Sequence, residues 1–224
     1  LQPTYLIHKN LGETPLEALE RLRGEQGIAE DVPMTYAGRL DPAAEGLLLI
    51  LTGEECKNKE QYTSLSKTYI AEIVFGVSTD THDLLGLPKG ADVPRGEIPT
   101  GTFTQKYPQY SSKTLWKEVS EAPTHEVTLH SHTKISEGTV SCEAVLARVE
   151  LVAGKVKGEF RQKEILEAWQ TLAPELPAEL PILKVELEVG SGFYVRQLAE
   201  DMGGCLYSLI RTQIGAASAV DVLA

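Results

Sequence analysis

Long apolar runs are missing from this chain of 224 residues, and their absence removes a first class of function. No stretch is long enough to span a bilayer, and no basic-then-apolar signal segment opens the sequence, so no membrane partner is expected. Cysteine is scarce: Cys56, Cys142 and Cys205 lie far apart, fit no zinc spacing and leave an odd count. Reduced thiols in a cytoplasmic protein are the simplest account. His125, His130 and His132 are close in sequence, but no further ligands complete a set, and no metal is expected. The glycines form neither a phosphate loop nor a dinucleotide fingerprint, and repeats and low-complexity tracts are absent. Positive charge is the last shortage. A net charge of −11 argues against a nucleic-acid partner, because phosphate neutralisation usually needs a basic surface. Net charge is not local potential, however. Arginines and lysines gathered in one cleft can bind a phosphate backbone while the remaining surface stays acidic.

What is present is 42% hydrophobic, enough for a substantial core in one large domain or two small ones. The stretch from Tyr36 to Ile50 begins polar and turn-prone, presents Asp41, and then becomes apolar. Pro42 fixes its own φ and biases Asp41 toward an extended backbone, which is a way to hold one carboxylate still for chemistry. The competing reading is a helix cap, with Pro42 at the first helical position. One residue can fill both roles.

Elsewhere the patterns are local. Thr14, Pro15 and Glu17 predict a capped helix whose stripe is Leu16, Leu19 and Leu22. Lys67 to Phe75 reads as a strand with Tyr69, Ala71, Ile73 and Phe75 on one face, and Leu183 to Val189 as another. Gly76 to Gly86 is dense in Ser, Thr and Asp, and reads either as a run of Asx- and Thr-stabilised turns or as a substrate-contacting loop. Glu126 to Ile135 and Thr139 to Leu151 read as two strands joined at Ser136 to Gly138. Phe160 to Leu172 reads as a helix, and Gly190 to Gly203 as a turn into a helix with Arg196 in its first turns. Cys205 to Gly215 reads as a last amphipathic stretch. The sum is an α+β protein with a mixed, largely antiparallel sheet flanked by helices, rather than regular βαβ units.

Five segments, in order, resemble motifs of the bacterial TruB family of tRNA pseudouridine synthases. They are Lys9 to Thr14, Tyr36 to Leu48, Lys67 to Gly86 (KTYIAEIVFGVSTDTHDLLG), Gln105 to Lys113, and Gly190 to Gly203 (GSGFYVRQLAEDMG). The resemblance implies the pseudouridine synthase fold with an RNA-binding cleft. It also implies isomerisation of the T-loop uridine at tRNA position 55, without a cofactor. Carried over residue by residue, Asp41 is the catalytic aspartate, Tyr69 packs against the target base, and Arg196 pairs with and positions the aspartate. Lys9 supports the floor of the site. Tyr36, Arg39, Thr79, Asp80, Lys113 and Arg211 fall among the RNA-binding or base-flipping positions. The implied partner is the T arm of tRNA, met by a monomer with no small-molecule cofactor. Residues 1–224 would form a single catalytic domain without the separate C-terminal RNA-binding domain of many relatives. The alternative is an RNA-binding or RNA-folding protein of the same fold with little or no synthase activity.

The sequence departs from the family in places. Tyr36 stands where the family usually has His, and tyrosine can stack but cannot become a cation. Arg39 replaces a small residue or Thr and adds a phosphate contact. Tyr107 replaces one of a pair of prolines, and the joins after Lys113 and Gly203 are short.

Overall fold

Alternating side chains along Lys67 to Phe75 and Leu183 to Val189 build two neighbouring strands of one large sheet, whose antiparallel register runs from Ile182↔Val74 to Val189↔Lys67. The computed structural model describes residues 2–92, 96–111, 114–115, 123–218 and 221; Lys113 lies outside the described residues. In chain order the strands are β1 (Thr4–Lys9), β2 (Met34–Ala37), β3 (Glu45–Thr52), β4 (Lys67–Phe75), β5 (Val77–Thr79), β6 (Pro88–Gly90), β7 (Gly101–Lys106), β8 (Tyr110–Ser111), β9 (Thr114–Leu115), β10 (Thr124–Ser141), β11 (Glu179–Val189), β12 (Gly204–Ile214) and β13 (Ala217–Ser218). The helices are α1 (Pro15–Glu25), α2 (Lys59–Thr63), α3 (Cys142–Lys155), α4 (Gln162–Leu172) and α5 (Val195–Asp201). The sheet runs β1-β3-β12-β4-β11-β10-β7, with β2 added to β3 and β13 to β12. Among the described strand pairings of this sheet, β3–β12 is parallel and the rest are antiparallel; the fold is α+β with a mixed, largely antiparallel sheet flanked by helices.

The sheet branches at β3. Strand β2 pairs with its Leu49–Thr52 half, while β12 pairs with Glu45 and Gly46. The chain from β2 to β3 therefore leaves the sheet beside β12 and re-enters it there, carrying Asp41. Close approach at this branch demands a glycine. Gly46 has φ 110°, and a Cβ on it would lie 2.3 Å from the Arg211 carbonyl oxygen.

One face of the sheet carries the core that supports the site. Tyr69, Ala71, Ile73 and Phe75 share it, as their alternation predicts, and pack with Leu198 and Ala199 of α5 and with Met202 at its C-cap. On the opposite face Val74 meets Val145 and Val149 of α3 and Ile165 and Trp169 of α4. The Trp169 indole donates to the Gly86 carbonyl at 3.1 Å, which ties α4 to the Gly76–Gly86 loop. Helix α1 covers β1 and β3 through Leu19 and Leu22, and its capping box is complete. Such a cap contributes about 1 kcal/mol.

Three local expectations are overturned. Cys142–Lys155 is a helix, not the second arm of a hairpin. Alternation in Thr139 to Leu151 competes with a helical spacing, since Val145, Val149 and Val152 are all buried, and the Ser141 hydroxyl accepts from the Ala144 N–H as an N-cap. Ser136 to Gly138 accordingly makes no turn: β10 runs straight through, with Glu137 opposite Leu183 and Gly138 opposite Ile182. Cys205 to Gly215 lies almost wholly in the central strand β12, which is buried along most of its length and so lacks clean alternation. Finally, no helix starts at Pro42. The Ala44 N–H donates to the Asp41 carbonyl at 2.9 Å, closing a turn ahead of β3, so the helix-cap role of Asp41 is not realised.

Candidate active site

The turn that carries Asp41 is held by its neighbours. Leu40 and Ala44 are buried on either side of it, and the Pro42 carbonyl accepts from the Gly12 N–H at 2.9 Å. On both sides of it in the chain, the buried Arg211 guanidinium donates to the carbonyls of Leu47 (2.6 Å), Arg39 (3.2 Å) and Gly38 (3.4 Å). Arg211 thus splints the turn that carries Asp41, and its donors face protein carbonyls rather than an RNA phosphate. Gly38 permits this at φ 77°, where a Cβ would stand 3.5 Å from Lys67 Cε and 3.6 Å from Arg211 Nη1.

The carboxylate of Asp41 meets Arg196 at the start of α5. Arg196 Nε donates to Asp41 Oδ2 at 2.7 Å. Its Nη1 donates to the Thr81 carbonyl at 2.7 Å and its Nη2 to the Tyr110 carbonyl at 3.1 Å. The two partners differ in exposure: the Arg196 side chain is 7% exposed and that of Asp41 45%. A buried cation therefore orients an accessible carboxylate. Burial works against the charge on Arg196, but the facing Asp41 and Asp83 carboxylates outweigh it and hold its pKa above the ordinary arginine value.

Asp83 is the member of this group that sequence reasoning did not single out. Its Oδ2 lies 3.6 Å from Arg196 Nε, and its Oδ1 accepts from the Thr81 hydroxyl and the Leu85 N–H, each at 2.9 Å. Burial pushes the Asp83 carboxyl pKa up, with Arg196 opposing. The one available signal was the density of Thr and Asp in Gly76 to Gly86. The turn reading of that loop has a physical basis in the Thr81 and Asp83 side-chain bonds, and the Thr81 carbonyl ties the loop to Arg196.

Above the pair opens a cleft of about 350 Å³. Tyr69, Val189, Phe193 and Leu209 give it an apolar wall, and Gly190 to Gly192 part of its rim. Five cationic residues line it, Arg39, Lys59, Lys67, Arg196 and Arg211, against the single carboxylate of Asp41. Positive charge is thus concentrated here in a chain of net −11. Tyr36 stands half-buried at the cleft, with the Lys59 ammonium 5.2 Å from its ring centroid. Lys59 also donates to the Thr35 hydroxyl at 3.0 Å.

The remaining predicted residues take supporting places. Lys9 is fully buried, and its ammonium donates to the carbonyls of Glu13 (2.6 Å) and Asn10 (3.1 Å), below the cleft rather than in its lining. Burial lowers its pKa to about 8, opposed by the charges of Glu13 and Asp41. The buried Thr79 hydroxyl donates to the Asp83 carbonyl at 2.7 Å. Asp80 pairs with Arg161 at 2.8 Å and accepts from the Leu87 N–H at 2.8 Å. Neither Thr79 nor Asp80 reaches the cleft wall; both brace the loop behind Arg196.

Lys67 offers a pH test of the cleft's chemistry. Its ammonium donates to the carbonyls of Thr63 and Leu65, and burial, helped by Arg211, lowers its pKa to about 8. The folded state then binds fewer protons than the unfolded chain between pH 8 and the ordinary lysine value. Wild-type stability should therefore rise with pH across that window relative to Lys67→Met, by at most about 1.4 kcal/mol per pH unit. Chemical denaturation of both proteins from pH 7 to 10 checks this. A constant difference would show that Lys67 stays charged throughout.

Comparison with known proteins agrees with the geometry. Residues 29–115 match the model of the TruB family pseudouridylate synthase (N terminal domain). The chain is 29% identical to tRNA pseudouridine synthase B of Chloroherpeton thalassium, over 94% of this chain and 82% of that protein. It is 26% identical to the protein of the same name from Ureaplasma urealyticum, over 97% and 88% of the two chains. For the Dehalococcoides mccartyi protein of that name, identity is 27% over 93% of this chain and 64% of the relative. Two solved structures share the fold at 12% identity and a TM-score of 0.54: an H/ACA RNP bound to a substrate RNA containing 2'-deoxyuridine, and a Cbf5-Nop10-Gar1 complex. The chain spans about half the length of each matched chain, 48% and 50%. Over most of its length, then, this chain is homologous to the tRNA pseudouridine synthase B proteins of the TruB family.

Proposed function

We propose that this protein converts a uridine in the T loop of tRNA, at position 55, to pseudouridine. The observation that carries the reading is the 2.7 Å pair of buried Arg196 and accessible Asp41 at a cleft walled by Tyr69. The reaction breaks the C1'–N1 glycosidic bond, turns the uracil, and forms a C1'–C5 bond. N1 gains a proton, C5 loses one, and no electrons change hands, so the isomerisation needs no co-substrate. Asp41 supplies the carboxylate, acting on the sugar or the base, and Arg196 aims it. The detached uracil must stay in the cleft while it turns. Tyr69 and the neighbouring apolar wall give its face a surface to stack on. A uridine folded into the T loop must be flipped out to reach that surface, and Tyr36 at the cleft is placed to stack as it leaves.

Tritium release from C5-tritiated, unmodified tRNA tests the proposal directly. Release under multiple-turnover conditions is expected. Binding of tRNA without release would favour the second reading, an RNA-binding protein of this fold without synthase activity, which the tyrosine at position 36 motivates.

Lys59 is an exposed cation at the cleft and a suitable phosphate contact. Replacing it with Ala should weaken tRNA binding and reduce the steepness of log K against log salt by about 0.7–0.9. Lys57, exposed and ion-paired with Glu54 on the neighbouring turn, provides the control. Filter binding across a salt series reads both slopes. An unchanged slope for Lys59→Ala would remove this residue from the phosphate path.

A further inference from the structure

Arg161 adopts a backbone conformation that side chains disfavour. It is the N-cap residue of α4, at φ 58° and ψ 25°, and its side chain makes no capping hydrogen bond to that helix. The guanidinium reaches two other segments instead. Its Nη1 meets Asp80 Oδ2 at 2.8 Å, and its Cζ lies 4.9 Å from the centroid of the Tyr110 ring.

Both contacts adjoin the carbonyls that hold Arg196. Thr81, whose carbonyl accepts from Arg196 Nη1, follows Asp80 directly. Tyr110 supplies the other carbonyl, to Nη2, from the same residue whose ring Arg161 covers. The two segments come from distant parts of the chain, and Arg161 touches both. We propose that Arg161 is a positioning residue for the Arg196–Asp41 pair. By joining the Asp80–Thr81 turn to Tyr110, it fixes the spacing of the two carbonyls that orient the Arg196 guanidinium. This role rests on the pseudouridine reading of the site. A displacement of one ångström at such a pair is enough to cost on the order of 10²-fold in rate.

The strained backbone makes the role separable from simple support of α4. Glycine accepts a positive φ and is tolerated at an N-cap, so Arg161→Gly removes the side chain while relieving the backbone. The expected result is an unchanged or higher melting temperature, kcat for tritium release down about ten-fold or more, and KM for tRNA within about two-fold. Arg161→Lys keeps a cation for Asp80 but lacks the planar face for Tyr110, and should fall in between. Tyr110→Leu should lower kcat similarly, and adding it to Arg161→Gly should cost little more. Unchanged kcat in Arg161→Gly overturns the proposal, as does a loss of activity that tracks a loss of melting temperature. An NMR measurement keeps the test independent of turnover: the Arg196 Nε–H should exchange with solvent at least about ten-fold faster in Arg161→Gly than in the unaltered protein. If the unaltered protein releases no tritium, the pseudouridine reading fails by itself. The exchange rate then decides whether Arg161 positions Arg196, and an unchanged rate refutes it.

Discussion

Asp41→Asn is expected to abolish tritium release from unmodified tRNA, by about 10⁴-fold or more, while the protein stays folded and binds RNA. The amide has the shape of the carboxylate, and its oxygen can still accept from Arg196 Nε. What it lacks is the negative charge and the nucleophilic oxygen that glycosidic cleavage needs. The fold tolerates the exchange for local reasons. The Asp41 side chain is nearly half exposed, and its turn is held by the Gly12–Pro42 hydrogen bond and by Arg211 rather than by the carboxylate. Arg196 also keeps Asp83 as a counter-charge at 3.6 Å. A loss of no more than about 1 kcal/mol is therefore expected from the half-exposed pair. Single-turnover tritium release, thermal melting and tRNA binding on one preparation separate these effects. Release within ten-fold of wild type would rule out Asp41 as the reacting group.

The charge of the chain takes on meaning only at the cleft. A surface of net −11 repels RNA in general, while five cationic residues line the cleft at which Asp41 is accessible. Two of these, Lys67 and Arg211, have donors committed to backbone carbonyls. They contribute to the potential without gripping RNA directly. Arg196 is likewise committed to Asp41 and two carbonyls, and the other two cationic residues of the lining, Arg39 and Lys59, are exposed. An acidic surround combined with a basic mouth favours binding through the cleft over binding anywhere else.

How much of this was legible before the structure depended on range. Short-range chemistry read well: the Thr14–Glu17 capping box forms as expected, and the strand at Lys67–Phe75 places Tyr69 on the face that meets the cleft. Resemblance to a family named Asp41 and Arg196, and the structure brings them to 2.7 Å across 155 positions of sequence. No local pattern carries that pairing. Elements whose burial comes from several sides were misread: β12 lies mid-sheet, so its apolar positions do not alternate, and α3 carries a pattern that fits either period. The family resemblance implies RNA-side places for Arg211, Asp80 and Thr79, and no local pattern shows which way their side chains turn. Their hydrogen bonds point inward, and only the fold shows that. Asp83 and Arg161 went unnamed because each acts through Arg196, and their contact with its surroundings is purely tertiary.

The second large effect is expected at Arg196 itself. Arg196→Met should be inactive and should lose about 3–5 kcal/mol of stability, because it leaves the buried Asp83 carboxylate without its cation. A loss of that size confounds activity with folding, and Asp83 provides the way to separate them. Adding Asp83→Asn removes the orphaned charge while keeping a group that can accept from Thr81 and Leu85. The double variant should regain about 1–3 kcal/mol over Arg196→Met yet remain inactive, since Asp41 still lacks its partner. The pH dependence follows from the same charge. Burial already raises the Asp83 pKa, and loss of Arg196 raises it further. Folded Arg196→Met then holds a proton that the unfolded chain has released above the ordinary carboxylate pKa. Its stability relative to wild type should fall as pH rises from about 4 through the raised folded value, and recover on acidification. Denaturant titrations of the single and double variants at pH 5 and 7 measure this, and the double variant should show the weaker pH response. If Arg196→Met were as stable as wild type at pH 7, with no response to acid, Asp83 would not be an ionised partner of Arg196. The guanidinium would then be oriented by Asp41 and the two carbonyls alone.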